Sequence, residues 1–396
     1  MLWSCGDYQP PKSVISRFAG VVHDRESEGF AQRYTQEFTI YFVGSLNEFE
    51  SMRPLWDGIA YRFNTYDDGI IEKARKIPQN ICGLGVYING YFDNDNTIYH
   101  RLTSEHNFQT LTESNKPGVA RRSAIYLGQV SRIITSDGKS ETTFPLLRCS
   151  SNLGGPTDNF RDTDKFIIDS VNETCANLFE QKVNLNHVLA QVYTNSSGHK
   201  AKIKAHSDKT KDMPRNGVIA FVTLYDFPSD VNYRRFAGDV QYKRTSALTQ
   251  LVFKAKSASQ EPQQFNVNLE PGSLFVIPLS TNRLYTHEIR PSILPADKIP
   301  TRLGYVIRCS KTNAVHVDSQ TFIVDHQSNR HVLKQQPSKD DFHDLRQKYQ
   351  QENATTDFVE YGDVYFSMNA GDYQEPIVEA VVPSCRLQQL AINHLD

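Results

Sequence analysis

The hexapeptide Lys204-Ala205-His206-Ser207-Asp208-Lys209 sets an imidazole and a carboxylate two residues apart. On an extended strand, residues i and i+2 project to the same side, so such a pair can grip one ion. Two imidazoles and one carboxylate on one face, with the opposite face open, is the donor set that ferrous iron takes in oxygen-using enzymes. The third ligand must then be a distant histidine. Spacing alone proves little, because His-x-Asp recurs at His316/Asp318 and His394/Asp396. Only the first pair has strand-like runs around it, at 188–193 and 218–224. After it, Pro271-Gly272-Ser273 opens a further apolar run, and His287, Arg302 and Arg308 follow. His287 is the candidate third ligand.

A His206/Asp208/His287 centre leaves room on iron for a bidentate 2-oxo acid and for O2. The cosubstrate expected is 2-oxoglutarate, whose decarboxylation powers oxidation of a C–H bond; the cofactor carries that chemistry while the protein positions it. Its far carboxylate needs a cation deep in the pocket, and the planar fork of arginine suits one. Arg302 and Arg308 bracket an apolar run and face the same way on a strand. Burying both is costly without acidic partners. One on the cosubstrate and one on Asp208 or the 2-oxo end resolves that cost. The bland alternative is two surface arginines with their stems laid over a sheet.

The elements that must position these groups are mostly strands. Runs at 200–206, 217–225, 248–255, 264–268, 273–278 and 302–309 are separated by long turns, which predicts a double-sheet jelly roll. A helix is expected over 164–181, with Ile167, Val171 and Leu178 on one face backed by Phe166 and Phe179. Others are expected after the capping box Ser45-Leu46-Asn47-Glu48 and from Ser338. Residues 361–366 read as an edge strand. The fold class expected is α+β, mainly β: a double-stranded β-helix (jelly roll) core with flanking helices and N- and C-terminal extensions. Its divisions are 1–112, an α+β segment without evident chemistry; 113–312, the catalytic domain; and 313–396, an extension.

The stretch 184–226 resembles the AlkB-like family of iron(II)/2-oxoglutarate dioxygenases. Leu185-Asn186-His187-Val188-Leu189-Ala190-Gln191-Val192-Tyr193 is similar to the family's F-N-x-x-L-x-N-x-Y strand, and His206-Ser207-Asp208-Lys209 to its H-S-D-D. Gly272-Ser273-Leu274 followed by His287 resembles its G-S-L…H segment. Arg302 to Arg308 matches R-x-N-x-T-x-R at both arginines. Weaker echoes at Arg122 and Tyr126-Leu127-Gly128 extend the likeness to about 117–310. The departures are Gln191 for asparagine, Gly304 and Val306 between the arginines, and Lys209-Thr210-Lys211-Asp212 for an acidic run. The resemblance implies that Gln191 and Tyr193 help hold 2-oxoglutarate, with Arg302 on its distal carboxylate and Arg308 near Asp208. For Tyr193 the alternative is a core aromatic with its hydroxyl satisfied.

The chain has 396 residues, 39% of them hydrophobic and 11% aromatic, as a folded core requires. Its net charge of −2 excludes a global basic field, so any nucleic-acid site must be a local patch. A basic rim of Lys204, Lys209, Lys211, Arg234, Arg235, Lys243 and Arg244 is the candidate. The six cysteines form no CxxC, which disfavours a zinc module or disulfide framework. With neither a signal-peptide pattern nor a run long enough to span a bilayer, a soluble intracellular protein of cytoplasm or nucleus is expected. The substrate expected is an alkylated nucleobase in DNA or RNA, demethylated or hydroxylated. Alternatives are a dioxygenase acting on a protein side chain or small metabolite, and a non-enzymatic binding module.

Overall fold

A computed structural model describes residues 2–4, 21–23, 40–52, 60–63, 78–93, 96–112, 119–149, 153–179, 184–195, 198–227 and 249–378. It divides into two compact units, Met1–Pro78 and Gln79–Asp396. In the first, β1 (Leu2–Ser4), β2 (Val21–His23), β3 (Ile40–Val43) and β4 (Ala60–Phe63) form a parallel sheet in the order β2-β1-β3-β4. Helix α1 (Leu46–Met52) opens on the capping box read from sequence. The Ser45 amide donates to the Glu48 carboxylate (2.7 Å), and the Glu48 amide donates to Ser45 Oγ (3.3 Å).

The second unit begins with β5 (Gln79–Ile81), β6 (Gly85–Ile88), α2 (Thr97–Glu105), β7 (Gln109–Thr112) and β8 (Val119–Gly128). Then come β9 (Ser131–Ile134), β10 (Ser140–Leu146), β11 (Asp158–Asn159), α3 (Asp162–Leu178), β12 (His187–Tyr193), β13 (Ile203–His206) and β14 (Val218–Asp226). After these lie β15 (Gln250–Ala255), β16 (Gln264–Asn268), β17 (Ser273–Pro278), α4 (Leu279–Leu284), β18 (Tyr285–Arg290) and β19 (Thr301–Arg308). The last are β20 (Thr312–Val317), β21 (Gln320–Val324), β22 (Arg330–Val332) and α5 (Lys339–Ala354).

The architecture is mixed α+β and mainly sheet. A nine-stranded sheet runs β11-β8-β12-β19-β14-β17-β6-β5, with β7 also on β8. Its central strand β14 is buried from Val218 to Tyr225 because both of its faces are covered. Val218, Ala220, Val222 and Leu224 point to a core shared with Leu102 of α2 and with Ile167, Ile168, Val171 and Cys175 of α3. Ile219 and Phe221 point the other way, onto Leu251, Phe253, Phe265 and Val267. Those residues belong to a four-stranded antiparallel sheet, β13-β18-β15-β16. The nine-stranded sheet is thus sandwiched between helices and a second sheet, and period-two alternation decides which face each residue serves.

A five-stranded antiparallel sheet, β22-β21-β20-β10-β9, joins three strands that follow β19 to two that precede β11. Strands β5, β6 and β7, all before residue 113, likewise lie in the nine-stranded sheet. Several local expectations differ. Helix α3 buries Ile167, Ile168, Val171 and Cys175, while Phe166 is exposed and packs on Phe92. Residues 361–366 form no strand; Tyr361 and Phe366 instead pack against α5 at Leu345 and Tyr349. No helix among the described residues is long and apolar enough to cross a membrane.

Candidate active site

The His-x-Asp pair reaches its place through an irregularity. β13 pairs with β18 at Ile203↔Ile289 and at His206↔His287, so β13 carries one residue more than its partner between those pairs. Ile203 and His206 both line the same pocket. Strict alternation would send residues three apart to opposite faces; the bulge restores His206 to the pocket side. The strand ends at His206, and Asp208 lies in the loop beyond it. The two-residue spacing therefore acts through a strand end and a turn, where the sequence suggested a continuous strand.

His206, Asp208 and His287 each offer a ligand atom, all within 4.8 Å of one another. The two imidazole centroids are 4.5 Å apart, and His206 Nε2 is 3.8 Å from Asp208 Oδ1. His206 Nδ1 lies 2.9 Å from the Lys204 carbonyl, which assigns the proton to Nδ1 and leaves the lone pair on Nε2. Buried His287 has an Nδ1 with no hydrogen-bond partner, an orphan that a metal ion or its ligands can satisfy. Burial pushes His287 down to about 3, so it is a neutral imidazole, the form that binds metal. Burial alone would raise Asp208, but Arg308 and the two histidines outweigh it and hold the carboxyl well below the usual range. Two neutral imidazoles and an ionised carboxylate fit a divalent cation.

Arg308 Nε donates to Asp208 Oδ2 at 2.8 Å, while its buried Nη1 is unpartnered. Arg302 pairs in register with Tyr193 across β19 and β12, and its Cζ lies 3.9 Å from that ring's centroid. Gly304 makes room for it: a Cβ there would meet Arg302 Nη1 at 2.7 Å. Arg302 Nη2 is buried without a partner. Tyr193 donates its hydroxyl to Gln191 Oε1 at 2.8 Å. All seven residues singled out from sequence line one cavity of about 280 Å³. The three candidate ligands come from the small sheet and its loop; Gln191, Tyr193, Arg302 and Arg308 come from the large sheet's facing side.

A second cluster, Glu105, His106 and Asp164, also has ligand-like spacing. Both His106 nitrogens are already taken, by Asp158 and Asp164 carboxylates at 2.7 Å each, so no lone pair is left for a metal. Burial opposes the charged ring, but the two aspartates win and raise His106 to about 9. This is a structural ion cluster.

The proposed basic rim is corrected at two positions. Lys209 and Lys211 are buried, and each ammonium is bonded inside the fold. Lys209 Nζ donates to Tyr349 O (3.0 Å) and Asn353 Oδ1 (2.8 Å). Lys211 Nζ donates to Asp212 (2.9 Å), which also holds Arg148. Lys204 is exposed. Arg234, Arg235, Lys243 and Arg244 lie outside the described residues. Residues the sequence did not signal are Asn282, which brackets Asp208, and Glu352 and Asn353 of α5; single polar side chains in helices carry no motif. His187, wholly buried behind Arg308 in the β12–β19 register, is another.

No family model matches the chain, and no curated protein matches it. Among solved structures, that of OsALKBH1 aligns over 59% of this chain and 100% of that one, at 13% identity and a TM-score of 0.35.

Proposed function

We propose that the protein is an iron(II)/2-oxoglutarate-dependent dioxygenase whose two facing sheets are a jelly-roll core of the AlkB-like kind. One observation carries the reading: two neutral imidazoles and an ionised carboxylate share a cavity with a buried arginine fork that has an unused donor. Bound there, ferrous iron with O2 and 2-oxoglutarate would supply the oxidising power for a C–H bond, releasing succinate and carbon dioxide. His206, Asp208 and His287 hold the metal. Arg302, braced on Tyr193 and given room by Gly304, binds the far carboxylate of 2-oxoglutarate. Gln191 and the Tyr193 hydroxyl supply polar contacts beside it. Arg308 neutralises Asp208, and its unpartnered Nη1 would be available to the 2-oxo end. Ile203, Leu251 and Ile289 line the cavity with apolar surface, which excludes water from the reacting centre.

The substrate we propose is an alkylated nucleobase, unstacked or single-stranded, entering the cavity while exposed Lys202 and Lys204 beside β13 meet phosphate. The inward burial of Lys209 and Lys211 favours the second reading, a protein side chain or a small metabolite. The test is succinate production from 2-oxoglutarate, screened with methylated DNA, RNA and peptides. Turnover that needs iron and disappears in Asp208→Ala is the expected result; turnover unchanged by that substitution sinks the proposal.

A further inference from the structure

The segment that carries His206 and Asp208 has few backbone partners of its own. β13 ends at His206, and 207–212 runs outside any strand. Its buried amides need acceptors from elsewhere. The Asp208 amide donates to Asn282 Oδ1 (2.9 Å), and Asn282 Nδ2 returns a bond to the Asp208 carbonyl (2.9 Å). Asn282 lies in α4, just ahead of His287. The other acceptors come from α5, far along the chain. The Ser207 amide donates to Asn353 Oδ1 (2.8 Å), and the Thr210 amide to Glu352 Oε1 (3.0 Å).

Tyr349, Glu352 and Asn353 share one face of α5, at the i, i+3, i+4 spacing of a helix. Asn353 Oδ1 also accepts from Lys209 Nζ (2.8 Å), so one oxygen ties a backbone amide and a cationic side chain on either side of Asp208. Glu352 is itself fixed: Tyr361 donates to its other oxygen (2.6 Å), and Lys256 Nζ, just past β15, donates to its carbonyl (2.5 Å). The Tyr349 hydroxyl donates to the Arg148 carbonyl (3.1 Å), seating the helix on the loop before β11.

We propose that Asn353 is a positioning residue of the metal centre. By holding the Ser207 peptide, the one link between two ligands, it fixes the angle at which His206 and Asp208 face the point that His287 also faces. Helix α5 is on this account part of the active site, although it touches no ligand side chain. The inference rests on the metal-binding reading above. It turns on Oδ1 alone: aspartate keeps that acceptor and adds a charge welcome beside Lys209, whereas alanine strips two donors at once.

The test uses the full chain, stripped of metal, as wild type, Asn353→Ala, Asn353→Asp and His287→Ala. Two quantities are read: Mn(II) affinity by electron paramagnetic resonance, and amide hydrogen exchange of 206–210 without metal. Asn353→Ala is expected to speed exchange in 206–210 while 250–268 is unchanged, and to weaken Mn(II) about 10-fold, the lower end for an outer partner of a metal ligand. Asn353→Asp is expected to restore both. Should alanine cost the fold, Asn353→Gln, which moves the acceptor by one methylene, gives the same two readouts. If His287→Ala loses Mn(II) while the Asn353 variants bind as wild type, or if exchange in 206–210 does not change, the inference falls and the metal site stands. If His287→Ala binds Mn(II) as wild type does, the metal reading itself falls and takes this inference with it.

Discussion

Arg302 lies over the Tyr193 ring, its Cζ 3.9 Å from the centroid, with one buried nitrogen donor unused. A desolvated guanidinium on an aromatic face gains roughly 2 kcal/mol, which holds the fork still but leaves its hydrogen bonds to be made. Arg302→Ala is therefore expected to raise the KM for 2-oxoglutarate by about 100-fold, near the ~3 kcal/mol of a charge-assisted bond. Arg302→Lys should fail to restore it, since an ammonium neither stacks nor forks. Steady-state kinetics with varied 2-oxoglutarate decide the point; a lysine variant with wild-type KM would falsify the assignment.

Gly304 offers a gentler probe of the same contact. Alanine there puts a methyl within 2.7 Å of Arg302 Nη1, so the fork must shift. We expect a higher KM for 2-oxoglutarate with metal affinity unchanged. Equal losses in both would mean that the strand, not the fork, has moved.

Asp208→Ala should abolish metal binding and also destabilise the fold, because it leaves Arg308 buried and unpaired. Breaking a buried pair costs about 3–5 kcal/mol. Arg308→Met in the same chain should recover most of that stability and none of the metal affinity. Thermal unfolding beside a metal-binding measurement separates the two effects.

His106 predicts a pH dependence remote from the cavity. Its folded value of about 9 stands above the ordinary 6.5. A raised histidine contributes stability that is complete below about pH 6.5 and lost as pH climbs through about 9, on the order of 3 kcal/mol in all. Lys211 and Lys256, lowered to about 8, act in the opposite sense between about 8 and 10.5. The difference between wild type and His106→Gln isolates the histidine. It should shrink from pH 6.5 to pH 9 in urea denaturation, and a flat difference would rule the imidazolium out.

If nucleic acid is the substrate, Lys202→Glu with Lys204→Glu should weaken single-stranded oligonucleotide binding and flatten its salt dependence. Lys209→Glu should instead lower thermal stability, because that ammonium is bonded inside. Oligonucleotide binding that ignores both salt and Lys204 favours the protein or metabolite reading.

Much of the cavity's frame was legible because strands obey a period of two. The placing of Arg302 and Arg308 on one face, opposite Leu303, Tyr305 and Ile307, follows from alternation alone. The α5 contacts were not legible. Glu352 and Asn353 sit in a helix whose charged sequence reads as a solvated surface, and nothing local marks the residues that meet a loop so far back in the chain. Lys209 and Lys211 misled for a related reason. A lysine's default is solvent, and only the tertiary placement of Asp212 and Asn353 turns these two inward. Residues 361–366 alternate like a strand, but Tyr361 and Phe366 pack against α5 and Tyr365 stacks on His331.

The ligands hang from one sheet and the guanidinium groups from another, with a phenylalanine layer filling the gap. The spacing between the two half-sites is therefore a packing thickness, set by side chains such as Phe253 and Phe275 in the core between the sheets. Activity should be tunable from that filling: trimming or swelling a ring there would alter how closely two otherwise intact half-sites approach, much as a shim sets the clearance of a valve.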